Sequence, residues 1–409
     1  MPVTDPTTAS PEASVLHASN PWAATAALGA LAAAAFTYVT TESLPVGLLE
    51  PISSSLRASL TATGLLVTVY AAINVVLSAP LAALTKGLPR KTLICCLIGA
   101  LVLTSLAAAA APGYGWLMAV RILTALGQAV FWSVVIPTAA SLFPPAMTGR
   151  AVASVLGGAS LAVVAGVPAF TWVGQEAGWR AAFAGVGALA LVVLVPVVAL
   201  LPSYHPAETH AGSGSSPDRR RYWLAMLTTA LTVGAFFCAY TYVSPFLTRV
   251  AGLALHQVPE VLLLTGASTA LGVLAGAATS QRLPSLSTLL PVVVIAPSLL
   301  ALYFAGSSPP VAVGLMASAA LGIGAYDVSN QNRILQVAPG STDIASAWAS
   351  ASFNAGIAGG SLAGGLALHS YGARSTALLG ALVATAALAA AGAGSTGGPG
   401  GGRARPRWG

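Results

Sequence analysis

The chain has 409 residues, 56% of them hydrophobic and 7% charged, with a formal net charge of +7 and a mean hydropathy of +0.82. Soluble domains carry about a quarter charged residues, so this composition excludes a soluble enzyme or binding module. The basic surplus does not indicate nucleic-acid binding either, because most Lys and Arg residues fall in short connections on one side of the apolar runs.

Residues 1–21 are polar, contain Pro and Ser and lack Lys and Arg; they read as a disordered cytoplasmic tail, not a cleavable signal. Apolar runs long enough to cross a bilayer as helices then recur along the whole chain. The first covers 22–49, and the next five cover 63–84, 92–111, 116–140, 151–173 and 181–201. At 202–221 the composition shifts to Ser, Gly and Pro and ends in Arg219, Arg220 and Arg221, which marks a linker. Six further runs follow at 222–247, 260–280, 288–305, 311–330, 344–368 and 375–391, and a Gly- and Arg-rich tail occupies 393–409. The reading is an all-α membrane protein with twelve transmembrane helices in two six-helix bundles, 22–201 and 222–392. Twelve Lys and Arg residues fall in the tails and connections on the side of the termini, four (Arg57, Arg180, Arg249, Arg374) on the other side, and Arg121 within a span. The positive-inside rule then predicts cytoplasmic termini and linker, in the cell inner (plasma) membrane. A monomer suffices for this architecture and is the expected state.

Ionisable residues inside the spans are the candidates for function. Glu42 is the single acid in the first run before its end. A carboxylate at bilayer depth costs about 2.5–3.5 kcal/mol on insertion scales, which makes it a functional candidate by default. Pro45, three residues on, removes a backbone donor and loosens the helix beside it. The expectation is a proton-binding carboxylate facing a central cavity; the alternative is a carboxylate paired or wetted near the headgroups. Arg121 lies inside the fourth span and needs an anionic or dipolar partner, since a guanidinium does not deprotonate. It reads as a fixed cation tuning a nearby carboxylate, against the alternative of reaching to the headgroups. Asp327 near the end of the tenth span reads first as a capping or ion-paired residue with Arg333, and second as a further protonation site.

Small residues with Pro168 in the fifth span, Gly157 to Phe170, and the glycine-rich stretch from Phe353 to Gly365 in the eleventh suggest close helix packing in equivalent positions of both halves. Tyr242-Val243-Ser244-Pro245 in the seventh span echoes the proline-containing end of the first, with Thr241 and Ser244 where the first half has Glu42. Phe131, Tyr240 and Asn354 are candidate cavity-lining residues. The cysteines (Cys95, Cys96, Cys238) and the five histidines have no metal-ligand, disulfide or catalytic spacing, so neither a metal site nor an enzyme is expected. No Walker-type phosphate loop is present, so the expected energy source is a proton gradient with no cofactor.

Taken together, the chain resembles the major facilitator superfamily, and within it the bacterial drug:proton antiporters that include sugar and arabinose efflux permeases and chloramphenicol exporters. The likeness covers about 22–392. It rests most on Thr41-Glu42-Ser43-Leu44-Pro45-Val46-Gly47, on Gly166-Val167-Pro168 with Gly178-Trp179-Arg180, and on Asn330-Gln331-Asn332-Arg333 through Ala338-Pro339 to Phe353-Asn354-Ala355-Gly356. It implies the major facilitator fold and alternating access, with export of small molecules such as drugs or sugars in exchange for protons. Glu42 would be the coupling acid, Arg121 and Gly127 would belong to the fourth-span arginine motif, and Gly166 and Pro168 to the antiporter motif of the fifth. Two departures stand out: the connection Lys86 to Lys91 lacks the usual acid, and Ala125 replaces a glycine. A proton-linked importer on the same fold is the nearer rival, and a polytopic membrane enzyme the more distant one. Partners are expected to be a small-molecule substrate, protons and the lipid bilayer.

Overall fold

The structure is a computed structural model that describes residues 21–85, 87–144, 147–202, 217–283, 286–339 and 342–395. The tails expected at 1–21 and 393–409 lie almost wholly outside the described residues, as does 203–216 of the linker expected at 202–221, whereas Arg219, Arg220 and Arg221 of that linker open a helix, with Asp218 as its N-cap. The described chain is helical. Helices α1 (Pro21–Gly47), α2 (Leu49–Leu56), α3 (Leu60–Thr85), α4 (Arg90–Ala109), α5 (Tyr114–Ser141) and α6 (Thr148–Leu161) are followed by a π turn, Ala162–Gly166, which runs into α7 (Val167–Glu176) and then α8 (Trp179–Leu200). The second series is α9 (Arg219–Tyr240), α10 (Val243–Arg249), α11 (Val258–Arg282), α12 (Leu289–Ala305), α13 (Pro309–Val337), α14 (Thr342–Tyr371) and α15 (Arg374–Ser395).

Ten helical stretches among the described residues are long and apolar enough to cross a membrane. The two remaining expected spans are α12, shorter at 17 residues, and α14, long enough at 30 residues but diluted by Ser, Gly and Asn354. The first half packs around an apolar core of its own, and the second-half core continues across to Val46, Val67, Ala71 and Val167 of the first. In the first, α4 lies against α5 and α8, α1 against α6 and α8, and α3 against α5. In the second, α9 lies against α14 and α15, α11 against α13, and α12 against α13 and α15.

Glycines set the closest approaches. Gly158, Gly166 and Gly174, eight apart on α6, the π turn and α7, sit against Ala32, Thr40 and Leu48, eight apart on α1 and the residue after it. In the second half Gly356, Gly360 and Gly364 of α14 abut the α9 carbonyls of Ala230, Gly234 and Cys238. At Gly158, Gly356, Gly360 and Gly364 a Cβ would collide with backbone, so only glycine allows the approach there. The π turn belongs to this geometry: Pro168 cannot donate, and the Val167 N–H reaches back five residues to the Ala162 carbonyl.

The halves meet along two seams, α3 with α14 and α11 with the π turn and α7. Contacts across them gather at the end where α1 passes into α2, here the junction end. There the Thr61 hydroxyl donates to the Gly365 carbonyl at 3.0 Å, the Tyr242 hydroxyl presses on Gly64 and Gly365, and Gly47 lies against Leu262. Deeper in, Gly266 of α11 rests directly on the backbone of Val163 and Val164 in the π turn. The opposite end holds the start of α9 and the end of α13, where the Asp218 N–H donates to the Val337 carbonyl at 3.0 Å.

Candidate functional site

The site follows from one missing hydrogen bond. In a helix the N–H of residue 45 would bond the carbonyl of residue 41, and Pro45 has none. The orphaned Thr41 carbonyl is taken by Arg121 of α5, whose Nη1 donates to it at 2.6 Å, while Nη2 donates to the Glu42 carbonyl at 2.9 Å. A buried carbonyl left unpaired would cost about 1–3 kcal/mol, so the guanidinium replaces the donor that proline removed. Helix α1 thereby runs unbroken through Pro45 to Gly47.

Arg121 is 1% exposed and is held from its other side by Tyr70 of α3, whose ring lies 4.2 Å from the guanidinium carbon. The Tyr70 hydroxyl donates to Oε1 of Gln128 at 2.6 Å, and Nε2 of Gln128 donates to Oε2 of Glu42 at 2.6 Å. Three helices therefore close a ring of contacts from the backbone of α1 through Arg121, Tyr70 and Gln128 to the side chain of Glu42. The carboxylate is not ion-paired with Arg121: the cation is engaged by backbone carbonyls and a ring face, and its Nε has no acceptor. An amide N–H can serve either form of the acid, since a protonated carboxyl keeps acceptor capacity. Glu42 is half-buried, so it remains reachable while being held.

The other expected residues fall in three groups. Gly127 lies beside the Tyr38 hydroxyl, which donates to the Leu97 carbonyl at 2.8 Å; Gly166 and Pro168 pack on α1 next to the site. Tyr240 is half-buried and stacks on Phe236 at 4.9 Å, Asn354 is half-buried with Nδ2 donating to the Ser350 carbonyl, and Asp327 is exposed although protein surrounds it closely. Asp327 lies on α13 in the second half, apart from Glu42 on α1 in the first. Arg333 donates to the Thr288 hydroxyl at 3.0 Å. Phe131 corrects the expectation made for it: it is 0% exposed and stacks on Tyr38 at 4.4 Å, so it belongs to the first-half core and not to a cavity wall. The sequence reading missed Tyr70 and the amide role of Gln128, both uncharged and unremarkable in an apolar run. The signal that was available is the vacant carbonyl four residues before Pro45. Among the described residues no group of three or more His, Cys, Asp or Glu side chains could hold a metal ion.

Two bundles of apolar helices that meet at one end, with a carboxylate held inside the first of them, fit a multi-pass membrane transporter architecture. The family model described as Major Facilitator Superfamily matches residues 31–341, and the chain belongs to that superfamily. A "Probable sugar efflux transporter" of Mannheimia succiniciproducens is 31% identical over 359 residues, covering 86% of this chain and 89% of the relative. Among solved structures, a bacterial homolog to the human lysosomal transporter Spinster, in an inward-facing and unoccupied conformation, aligns with a TM-score of 0.75 at 16% identity over 92% of this chain and 98% of that one. The nucleoside transporter NupG aligns with a TM-score of 0.71 at 12% identity over 90% and 99%. At these identities the solved structures speak to the fold. The family and the relative are transporters, so the chain is a transporter of small molecules, not an enzyme by kinship.

Proposed function

We propose that the protein is a proton-coupled exporter of small hydroxylated molecules of the sugar class, working by alternating access between its two halves. The observation that carries the coupling is the Glu42 carboxylate, held by Gln128 beside a proline whose vacant carbonyl is filled by Arg121. Proton binding neutralises a charge inside a membrane span and so changes which arrangement of the halves is favoured. Substrate and proton compete for the cavity, and the membrane potential adds about 2.3 kcal/mol per charge per 100 mV to inward proton flow. Kinship to a relative named as a sugar efflux transporter supports sugars over drugs and export over import.

In this reading the fold has twelve spans, α12 and α14 included, with 22–201 and 222–392 as its two bundles and cytoplasmic segments at 1–21, 202–221 and 393–409. The protein lies in the plasma membrane as a monomer, needs no cofactor beyond the proton gradient, and has both termini cytoplasmic. The basic residues on the side of the termini support that orientation. The junction end then faces outward, and the tight contacts there fit a state closed on that side. Tyr240, Asn354 and Asp327 contribute the second half's wall, with Asp327 as a second protonatable group.

The test is proton flux into liposomes carrying the purified protein and an internal pH dye, with a panel of sugars and chloramphenicol-type drugs, for wild type and Glu42→Gln. Sugar-dependent proton movement that vanishes in the variant is the expected result. Coupling that survives Glu42→Gln moves the role to Asp327, and coupling seen only with drugs replaces the substrate class.

A further inference from the structure

We propose that Glu50, Thr248 and Arg249 form a latch that joins the two halves at the junction end and must open for the cavity to reach that side. Glu50 is the second residue of α2, and Arg249 the last of α10. These two short helices hold corresponding places in the two halves: α2 follows α1, which carries Pro45 near its end, and α10, which carries Pro245, follows α9 after the break at Thr241–Tyr242. They approach one another across the seam. Nε of Arg249 donates to Oε1 of Glu50 at 3.2 Å, and the Thr248 hydroxyl lies 3.1 and 3.2 Å from the two carboxylate oxygens. Of the two ion pairs given by the described residues, Arg221 with Asp218 is local to one turn, and Glu50 with Arg249 is the one that crosses between halves.

Both charges also sit where their helices favour them. An acid in the first turn of α2 meets the positive end of that helix, and a base in the last turn of α10 meets its negative end. Parting the halves separates Glu50 from Thr248 and Arg249 together. Opening at this end cannot spare the latch, because α2 of the first half and α10 of the second meet there, beside the α3–α14 seam that Thr61, Gly64 and Gly365 close. The Glu50 side chain is 18% exposed and that of Arg249 59% exposed, so solvent reaches the pair and its worth is that of a partly screened contact. Such a contact biases the balance between states without fixing it, which suits an element that opens in every cycle.

The experiment is a distance measurement between spin labels at Ser55 and Leu255, on opposite sides of the junction end, in a background with Cys95, Cys96 and Cys238 changed to Ser, reconstituted in nanodiscs. Glu50→Gln and Arg249→Gln are each expected to raise the population of longer distances about two- to fivefold. The double variant should go no further than either single one, because both remove the same contact. Arg249→Lys, which keeps the charge, should stay near the parent, and thermal unfolding of every variant shows whether the fold survives. An unchanged distribution in a folded single variant, or effects that add in the double variant, overturns the latch. Both outcomes are independent of which substrate moves and of whether Glu42 couples it to protons.

Discussion

The two halves solve the same backbone problem differently. Each places a proline near the end of its first apolar run, Pro45 inside α1 in one and Pro245 inside α10, just past the end of α9, in the other. In the first half Arg121 fills the carbonyl that proline vacates, and α1 continues to Gly47. In the second half, among the described residues, no cation is given that part: the helix stops at Tyr240, the Tyr242 N–H turns back to the Ala239 carbonyl, and α10 begins at Val243. The side chains there are neutral, with the Thr241 and Ser361 hydroxyls 2.7 Å apart and the Tyr242 hydroxyl donating to the Ser361 carbonyl at 2.8 Å. One half holds an acid on an intact helix beside an immobilised cation. The other is a neutral hydroxyl-bonded joint. A repeat can thus keep its packing in both copies while confining ionisable chemistry to one.

The sharpest way to break this comparison is to move the acid. Glu42→Gln should reduce substrate-driven proton flux to background, and adding Thr241→Glu in the same chain should not restore it, because the described residues beside Thr241 are neutral hydroxyls, with Ser361 where the first half has Gln128 and Arg121; the liposome assay reads both. Next in size is the cap. Arg121→Met leaves two α1 carbonyls without their charged donor and should lower unfolding free energy by roughly 2–4 kcal/mol. Pro45→Ala in that background supplies the missing N–H and should return about 1 kcal/mol, whereas Pro245→Ala should not. Denaturation in detergent followed by circular dichroism measures the cycle.

Smaller effects separate holding from coupling. Tyr70→Phe keeps the ring under Arg121 but removes the donor to Gln128, a loss of about 1 kcal/mol. Its signature should be a few-fold fall in protons moved per substrate, with transport down a concentration gradient kept. Thr241→Val breaks the hydroxyl pair with Ser361 and should cost about 1 kcal/mol in stability, with the ratio of protons to substrate unchanged.

What was legible in advance follows the energetics of the membrane. Glu42, Arg121 and Pro45 stand out because charge and missing donors are expensive in an apolar run, so the sequence carries their signal openly. The spans and the glycine-rich contacts were legible for the same reason: apolar length and small side chains are properties of composition. Tyr70 and Gln128 were not, because a neutral polar residue in a helix announces neither its direction nor its partner. Phe131 shows the same gap from the other side: its aromatic ring suited a cavity wall, but the sequence does not say which face of α5 meets Tyr38. The short helices α2 and α10 were read as span ends and connections, and their meeting across the seam depends on tertiary placement alone.

The unequal apolarity of the spans has a consequence for how the chain is made. Helix α14 falls outside the stretches apolar enough to cross a membrane unaided, yet its glycines are fitted to the backbone of α9 and its length runs along α3. A translocon that admits segments by their own hydrophobicity would hold α14 weakly at the moment of its synthesis. Its integration must then draw on helices already in the bilayer, α9 and α3 among them. Biogenesis of the second half is therefore expected to be cooperative and late, with α14 settling only when those earlier helices are present to receive it.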